Sequence, residues 1–379
     1  MLVPVLENHP HRTVSHHRRK PARSGRDPIL PRNGASRKPG AVHTAGPCLV
    51  RRQADATGGA RRAFDRLDVL MKPKPTLALI GCGRWGVHIL RDLIALGCEV
   101  HVAADSWASR ERAITGGATS FRDRVEDLPA VGGAIVAVPT ILHTEIIRRL
   151  MPRHIPIFVE KPMAPDAKEA KQLAAELPDR LFVMDKWRYH PGIEALRDIA
   201  RSGELGPVIG LSTWRLDWGS PHADVDAVWI LAPHDLAIAL EILGHIPEPR
   251  AAVAEPGTNG LRSLSAILGS VPWFRMEVSE LYARKRREIR LHLRDGTAVL
   301  GDGYDDHLDI TRRGLDGTPL FEKRRVGGSM PLFRELEAFV LHLTGGPAPK
   351  SSAAEGADIV DVIARLRAMA DAAPKPDHP

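Results

Sequence analysis

Cysteine is scarce in this chain. Cys48, Cys82 and Cys98 are three thiols in 379 residues, too few for a disulfide framework and at no metal-ligand spacing. Cys82 and Cys98 read as small buried residues of a protein kept in a reducing compartment, the cytoplasm. Apolar runs of membrane length are missing too, since a spanning helix needs about 20 such residues. The expectation is a soluble chain with no membrane partner. Internal repeats are absent. Positive charge is present overall, at +7, but it is unevenly placed. Residues 1–70 carry 14 Lys or Arg against 5 Asp or Glu, a surplus of nine, so the remainder holds a surplus of two acids. A body of that balance lacks the basic surface by which proteins bind nucleic acid.

Residues 1–70 are rich in Arg, Pro, His, Gly and Ser, with little hydrophobic periodicity, and are expected to be disordered. They fit an Arg-rich targeting peptide, a partner-binding or nucleic-acid-binding arm, or upstream sequence read from a misplaced start. Met71, five residues before the first strand, favours the last. The cluster His9, His11, His16 and His17 is flanked by arginines and carries no expectation of a metal.

The informative stretch is residues 76–86, Thr-Leu-Ala-Leu-Ile-Gly-Cys-Gly-Arg-Trp-Gly. An apolar run of strand length meets three glycines in a G-x-G-x-x-G frame, and a helix-like segment follows. The frame alone is weak; strand, glycines, helix and a later acid in that order are specific. Gly81 permits the tight turn that ends the strand. Gly83 lets a pyrophosphate approach the backbone, and Gly86 lets helix and strand pack closely. The first helical turn offers unpaired N–H groups to an anion. Arg84 and Trp85 complete the loop on the cofactor side. Asp105 follows at about the 20-residue distance at which an acid binds the adenosine ribose hydroxyls. A carboxylate there repels a 2′-phosphate, so NAD(H) is expected in preference to NADP(H); Arg84 and Arg110 are the groups that would favour NADP(H). The plain alternative is a glycine turn that binds no nucleotide.

From residue 75 the patterns alternate. Strands are expected at 75–80, 99–104, 119–121, 133–138, 155–159 and 181–184, with helices at 85–97, 107–115, 140–152 and 165–176. This order predicts an α/β Rossmann domain, a doubly wound parallel sheet, over residues 71–188. A helix at 191–202 then leads to strand-like runs at 207–216, 249–255, 262–269, 273–281, 286–294 and 297–301, interrupted by a helix at 231–244. Helices at 331–344 and 355–371 close the pattern. Residues 189–371 therefore read as an α+β domain with a largely antiparallel open sheet, and 372–379 as a tail.

Two residues stand out as acid–base candidates. Lys161 follows a buried strand, at the carboxyl edge where ligands bind. The proline after it biases it to extended geometry and admits a cis bond. Partial desolvation beside a positive nicotinamide lowers an ammonium pKa. His234 titrates near neutrality and suits general base work. The plainer readings are a surface lysine at a strand end and a satisfied core or capping histidine.

Val159-Glu160-Lys161-Pro162, together with the glycine loop, resembles a signature of the glucose–fructose oxidoreductase and inositol dehydrogenase (Gfo/Idh/MocA) family. Pro139-Thr140-Ile141-Leu142-His143, Arg188-Tyr189-His190-Pro191, Ser202-Gly203-Glu204-Leu205-Gly206 and Pro233-His234-Asp235-Leu236 resemble four further family segments in the same order. The resemblance spans about residues 75–370. It implies an NAD(P)-dependent oxidoreductase that moves hydride to or from a secondary alcohol or carbonyl of a sugar, sugar nucleotide or cyclitol. It implies Lys161 and His234 as the catalytic pair, Thr140, His143 and Glu160 on the cofactor side, and oligomer contacts through the second sheet, in a homodimer or homotetramer. Arg188 and Tyr189 at the domain junction, and Asp226 and Asp235 beside the histidine, are carried as substrate contacts; Asp224 lies in the same acidic loop. In the family an acid usually stands four residues before the histidine, where this chain has Ile230. That departure keeps open a non-catalytic, nucleotide-binding sensor or regulatory partner. A reductase acting on C=N bonds is the third reading.

Overall fold

An apolar run closed by glycine starts the fold: Thr76–Ile80 forms β1 with four of its five residues buried. The computed structural model describes residues 75–219 and 224–372, all within one compact unit, Val69–Pro379. The extension read at 1–70, with Cys48 and the histidine cluster, lies outside the described residues, as does the tail beyond residue 372.

After β1 come α1 (Gly86–Ala95), β2 (Glu99–Ala103), α2 (Trp107–Thr115), β3 (Ser120–Arg122), β4 (Gly133–Val136), α3 (His143–Leu150), β5 (Ile157–Glu160), α4 (Ala167–Glu176) and β6 (Leu181–Met184). The strands pair in parallel in the order β3-β2-β1-β4-β5-β6. This doubly wound order reverses between β1 and β4, and ligands bind in the crevice at the carboxyl ends of those strands. Both faces are covered, so the strands read as unbroken apolar runs. Cys82 and Cys98 are buried free thiols in this half.

The second half contains α5 (Pro191–Ser202), β7 (Val208–Trp218), α6 (Ala227–Leu243), β8 (Pro249–Gly257), β9 (Gly260–Gly269), β10 (Trp273–Ser279), β11 (Leu281–Leu293), β12 (Gly296–Leu300), β13 (His307–Arg313) and β14 (Pro319–Arg325). Its sheet runs β14-β13-β12-β11-β7-β10-β9-β8, antiparallel except where β10 lies parallel to β7. Helices α5 and α6 and the last helix, α8 (Ala353–Asp371), bury one face. The preceding helix, α7 (Pro331–Leu343), returns to the first sheet, where Phe339 stacks on Phe158 at 4.8 Å. Among the described residues no helix is long and apolar enough to cross a membrane.

Two expectations change. Strands β13 and β14 were not expected; β14 is an edge strand with every residue exposed or half-buried, so no apolar alternation marks it. The helix expected at 231–244 begins at Ala227, capped by Asp226, whose side chain accepts from the Val228 and Trp229 N–H groups. Pro233 therefore stands in the middle of the helix, with His234 next to it. Proline removes the N–H that would bond the carbonyl four residues back and pushes the turn open.

Candidate functional site

The carboxyl ends of β4, β5 and β6, with Trp85 of the loop after β1, face α6 and the helix-covered side of the second sheet across a cavity of about 420 Å³. Gly81 turns the chain out of β1 at a φ of 93°. A side chain there would start 2.5 Å from the Ala137 carbonyl oxygen, and one on Gly86 would start 2.3 Å from that of Gly81. On Gly83 it would meet nothing within 4 Å. The loop is thus closed where it packs and open where a diphosphate would lie. Helix α1 adds a first turn whose cap residue, Trp85, makes no side-chain capping bond. These residues fit a dinucleotide. Asp105 and Arg84 are exposed, Asp105 just beyond β2.

Five expected site residues line the cavity beside Lys161 and His234 or at its cofactor edge: Trp85, Thr140, His143, Glu160 and, in the acidic loop, Asp224. Trp85 donates its indole N–H to Glu160. The other Glu160 oxygen accepts the Lys161 backbone N–H at 3.2 Å. Burial raises the Glu160 pKa against the opposing charges of Lys161 and Lys186. His143 is 1% exposed, with Nδ1 2.9 Å from the Pro162 carbonyl and Nε2 3.1 Å from that of Val138. It ties the loop after β4 to the Lys161-Pro162 segment, whose peptide bond is cis. Thr140 does not cap a helix with its side chain; its backbone N–H donates to Asp224 at 2.7 Å.

Lys161 Nζ donates to the Ile230 carbonyl at 3.1 Å. Burial lowers the Lys161 pKa, with Glu160 partly offsetting it. Nδ1 of His234 is buried without a hydrogen-bond partner, as expected where Ile230 replaces an acid one turn earlier. Burial, reinforced by the charges of Lys161, Arg215, Lys186 and Arg287, holds this imidazole well below its usual pKa. Both effects favour the neutral ring.

The four expected substrate contacts go elsewhere. Arg188 is buried among Glu241, Glu355 and the Lys350 carbonyl. The Tyr189 hydroxyl accepts the Lys350 N–H at 2.8 Å. Asp226 caps α6 and pairs with Arg367 at 2.7 Å. Asp235 is 1% exposed and accepts two bonds from Arg215, at 3.0 and 2.8 Å. None of these four lines the cavity; each has an internal polar partner that accounts for it.

Other side chains take their place: Lys186, Trp187, Arg215, Asp217, Lys285 and Arg287. Lys186 sits 4.1 Å from the Trp85 ring centre, and burial pulls its pKa down to about 8. Arg215 stacks on Trp187 at 4.4 Å. A signal for the last four exists in the sequence. On β7, Leu211, Thr213, Arg215 and Asp217 share one face, and on β11 so do Lys285, Arg287, Ile289 and Leu291. Each core-facing register turns charged at one end, where the strand leaves the core for the cavity.

Residues 76–183 match the model of the GFO_IDH_MocA oxidoreductase family, NAD-binding Rossmann fold. The rhizopine catabolism protein MocA of Rhizobium meliloti is 29% identical over 153 residues, 38% of this chain and 48% of that protein. Inositol 2-dehydrogenase of Arthrobacter sp. (strain FB24) is 35% identical over 146 residues, 36% of this chain and 43% of that protein. The matched stretch thus spans under half the length of these curated relatives. In fold, the chain resembles UDP-N-acetylglucosamine 3-dehydrogenase GnnA from Acidithiobacillus ferrooxidans, with a TM-score of 0.69 at 21% identity over 79% of this chain and 99% of that one. Residues 76–183 are thus similar in sequence to the NAD-binding part of the Gfo/Idh/MocA oxidoreductase family.

Proposed function

We propose that this chain is an NAD(H)-dependent oxidoreductase that interconverts a secondary alcohol and a carbonyl on a sugar, sugar nucleotide or cyclitol. The observation that carries the reading is that Lys161 and His234, from separate segments, line one cavity at the mouth of the glycine loop. Bound there, the nicotinamide supplies the hydride acceptor or donor. Gly81, Gly83 and Gly86, with the first turn of α1, hold the diphosphate, and Asp105 receives the adenosine ribose and disfavours a 2′-phosphate. Trp85, Thr140 and Glu160 border the nicotinamide end, and His143 sets the position of the Lys161 loop. Lys161 donates a hydrogen bond to the reacting oxygen, and neutral His234 has a lone pair to take its proton. The names of the relatives, inositol and sugar dehydrogenases among them, support the substrate class. The uncovered face of the second sheet, with Val253 and Ile267 exposed, supports a homo-oligomer joined there.

The test pairs cofactor titration with turnover across a panel of polyols and keto sugars. Lys161→Met and His234→Ala are expected to keep NADH affinity and to lose roughly 100-fold or more in kcat, the ordinary contribution of a positioned acid–base group. Unchanged turnover in both variants removes the assignment. The partnerless Nδ1 of His234 favours one second reading, a nucleotide-binding homologue without turnover. NADH binding with no reaction anywhere on the panel is its signature.

A further inference from the structure

The cavity wall formed by the second sheet carries one positive charge more than it can balance. Strands β7 and β11 run antiparallel there with Arg215 directly opposite Arg287. Residues so opposed leave the same face with Cβ atoms about 5 Å apart, and like charges in that relation repel. Arg215 is balanced by Asp235 at 2.8 Å. Two residues along, Lys285 and Asp217 pair at 3.3 Å. Arg287, half-buried in the cavity lining, has no carboxylate partner among the described residues. The remaining carboxylates of the cavity are committed: Glu160 to Trp85 and the Lys161 N–H, Asp224 to the Thr140 N–H, and Glu280 to Arg262 at 3.1 Å. A neutral polyol leaves the repelling arginine pair as it stands. An anionic group bound to Arg287 removes the repulsion and, with a planar guanidinium, binds by two parallel hydrogen bonds.

We propose that the substrate is an anion: besides the reacting alcohol or carbonyl it carries a carboxylate or phosphate, and Arg287 binds that group, with Lys285 beside it at the rim. The oxidoreductase reading is needed for the reacting end of this substrate; the anion site itself follows from strand register and charge.

Calorimetric titration of the full chain with D-glucuronate, D-glucose 6-phosphate and D-glucose, with and without saturating NADH, tests it. At least one of the two anions is expected to bind tenfold or more tighter than glucose, and the tighter of the two identifies carboxylate or phosphate as the preferred group. Arg287→Gln, which keeps much of the side-chain stem, is expected to abolish that advantage over glucose, while Arg287→Lys retains part of it. Equal affinity for all three sugars overturns the proposal, as does anion binding that survives Arg287→Gln in a variant with an unchanged melting profile. Cofactor affinity is read separately in the same preparations. Anion binding through Arg287 without any NADH binding defeats the oxidoreductase reading and upholds the anion site.

Discussion

Replacing Ile230 by aspartate puts a carboxylate one helical turn before His234, on the same face of α6. In the native chain Nδ1 of that ring is buried without a partner, and its pKa lies well below 6.5 because of burial and four neighbouring cations. The new carboxylate also meets the Lys161 ammonium, which already reaches the Ile230 carbonyl at 3.1 Å; that contact keeps the acid ionised despite its burial. A hydrogen bond to a charged group contributes about 1.5–3 kcal/mol. At 1.36 kcal/mol per pKa unit, the imidazole pKa rises by roughly one to two units. The assay is NMR of the protein labelled at histidine nitrogen, with the His234 ring assigned by its loss in His234→Gln. In the native chain that ring is expected to stay neutral from pH 8 down past 6.5, and in Ile230→Asp its midpoint moves up by the stated amount. The acid limb of any kcat/KM profile moves the same way. A native ring titrating at the ordinary imidazole value, or a midpoint indifferent to the aspartate, refutes this account of the site's electrostatics.

Three further outcomes separate packing from binding. Gly83→Ala is expected to change stability by no more than about 0.5 kcal/mol but to weaken NADH binding, whereas Gly86→Ala, whose methyl would start 2.3 Å from the Gly81 oxygen, destabilises the apoprotein; thermal melts and cofactor titrations of both variants decide it. Asp235→Ala strands the buried Arg215 charge at a cost of about 3–5 kcal/mol in urea unfolding, and the pair Arg215→Met with Asp235→Leu recovers most of it. The pH effect has a definite sign. An unfolded imidazole gains its proton near pH 6.5 and the folded His234 does so well below that, so unfolding takes up a proton in that window and acid destabilises the native state by up to about 1.4 kcal/mol per pH unit. The stability gap between the native chain and His234→Gln is therefore flat above pH 7 and narrows on acidification below 6.5; a gap that widens contradicts it.

The first sheet was legible almost strand by strand, because a parallel sheet covered on both faces demands unbroken apolar runs such as Gly133–Val136 and Leu181–Met184. The second sheet was legible where one face is core and faded at its edge, where β14 buries nothing. Lys161, His234 and the glycine loop announced themselves through local patterns: a strand end, a proline and a helix. The substrate contacts expected at Arg188, Tyr189, Asp226 and Asp235 did not reach the cavity, since each polar side chain found an internal partner that only the folded chain supplies, from Glu241 to Arg367. Arg215 and Arg287 escaped notice for the converse reason. Neither belongs to any of the motifs, and it is their opposition across β7 and β11 that gives them meaning.

The central claim, that one cavity brings a dinucleotide to Lys161 and His234, is tested most directly by the crystal structure of the protein with bound NADH. The account predicts the diphosphate against the Gly83 backbone and the nicotinamide ring facing Lys161 Nζ and the His234 imidazole within one enclosed space. A diphosphate bound elsewhere, or a nicotinamide directed away from those two side chains, contradicts it.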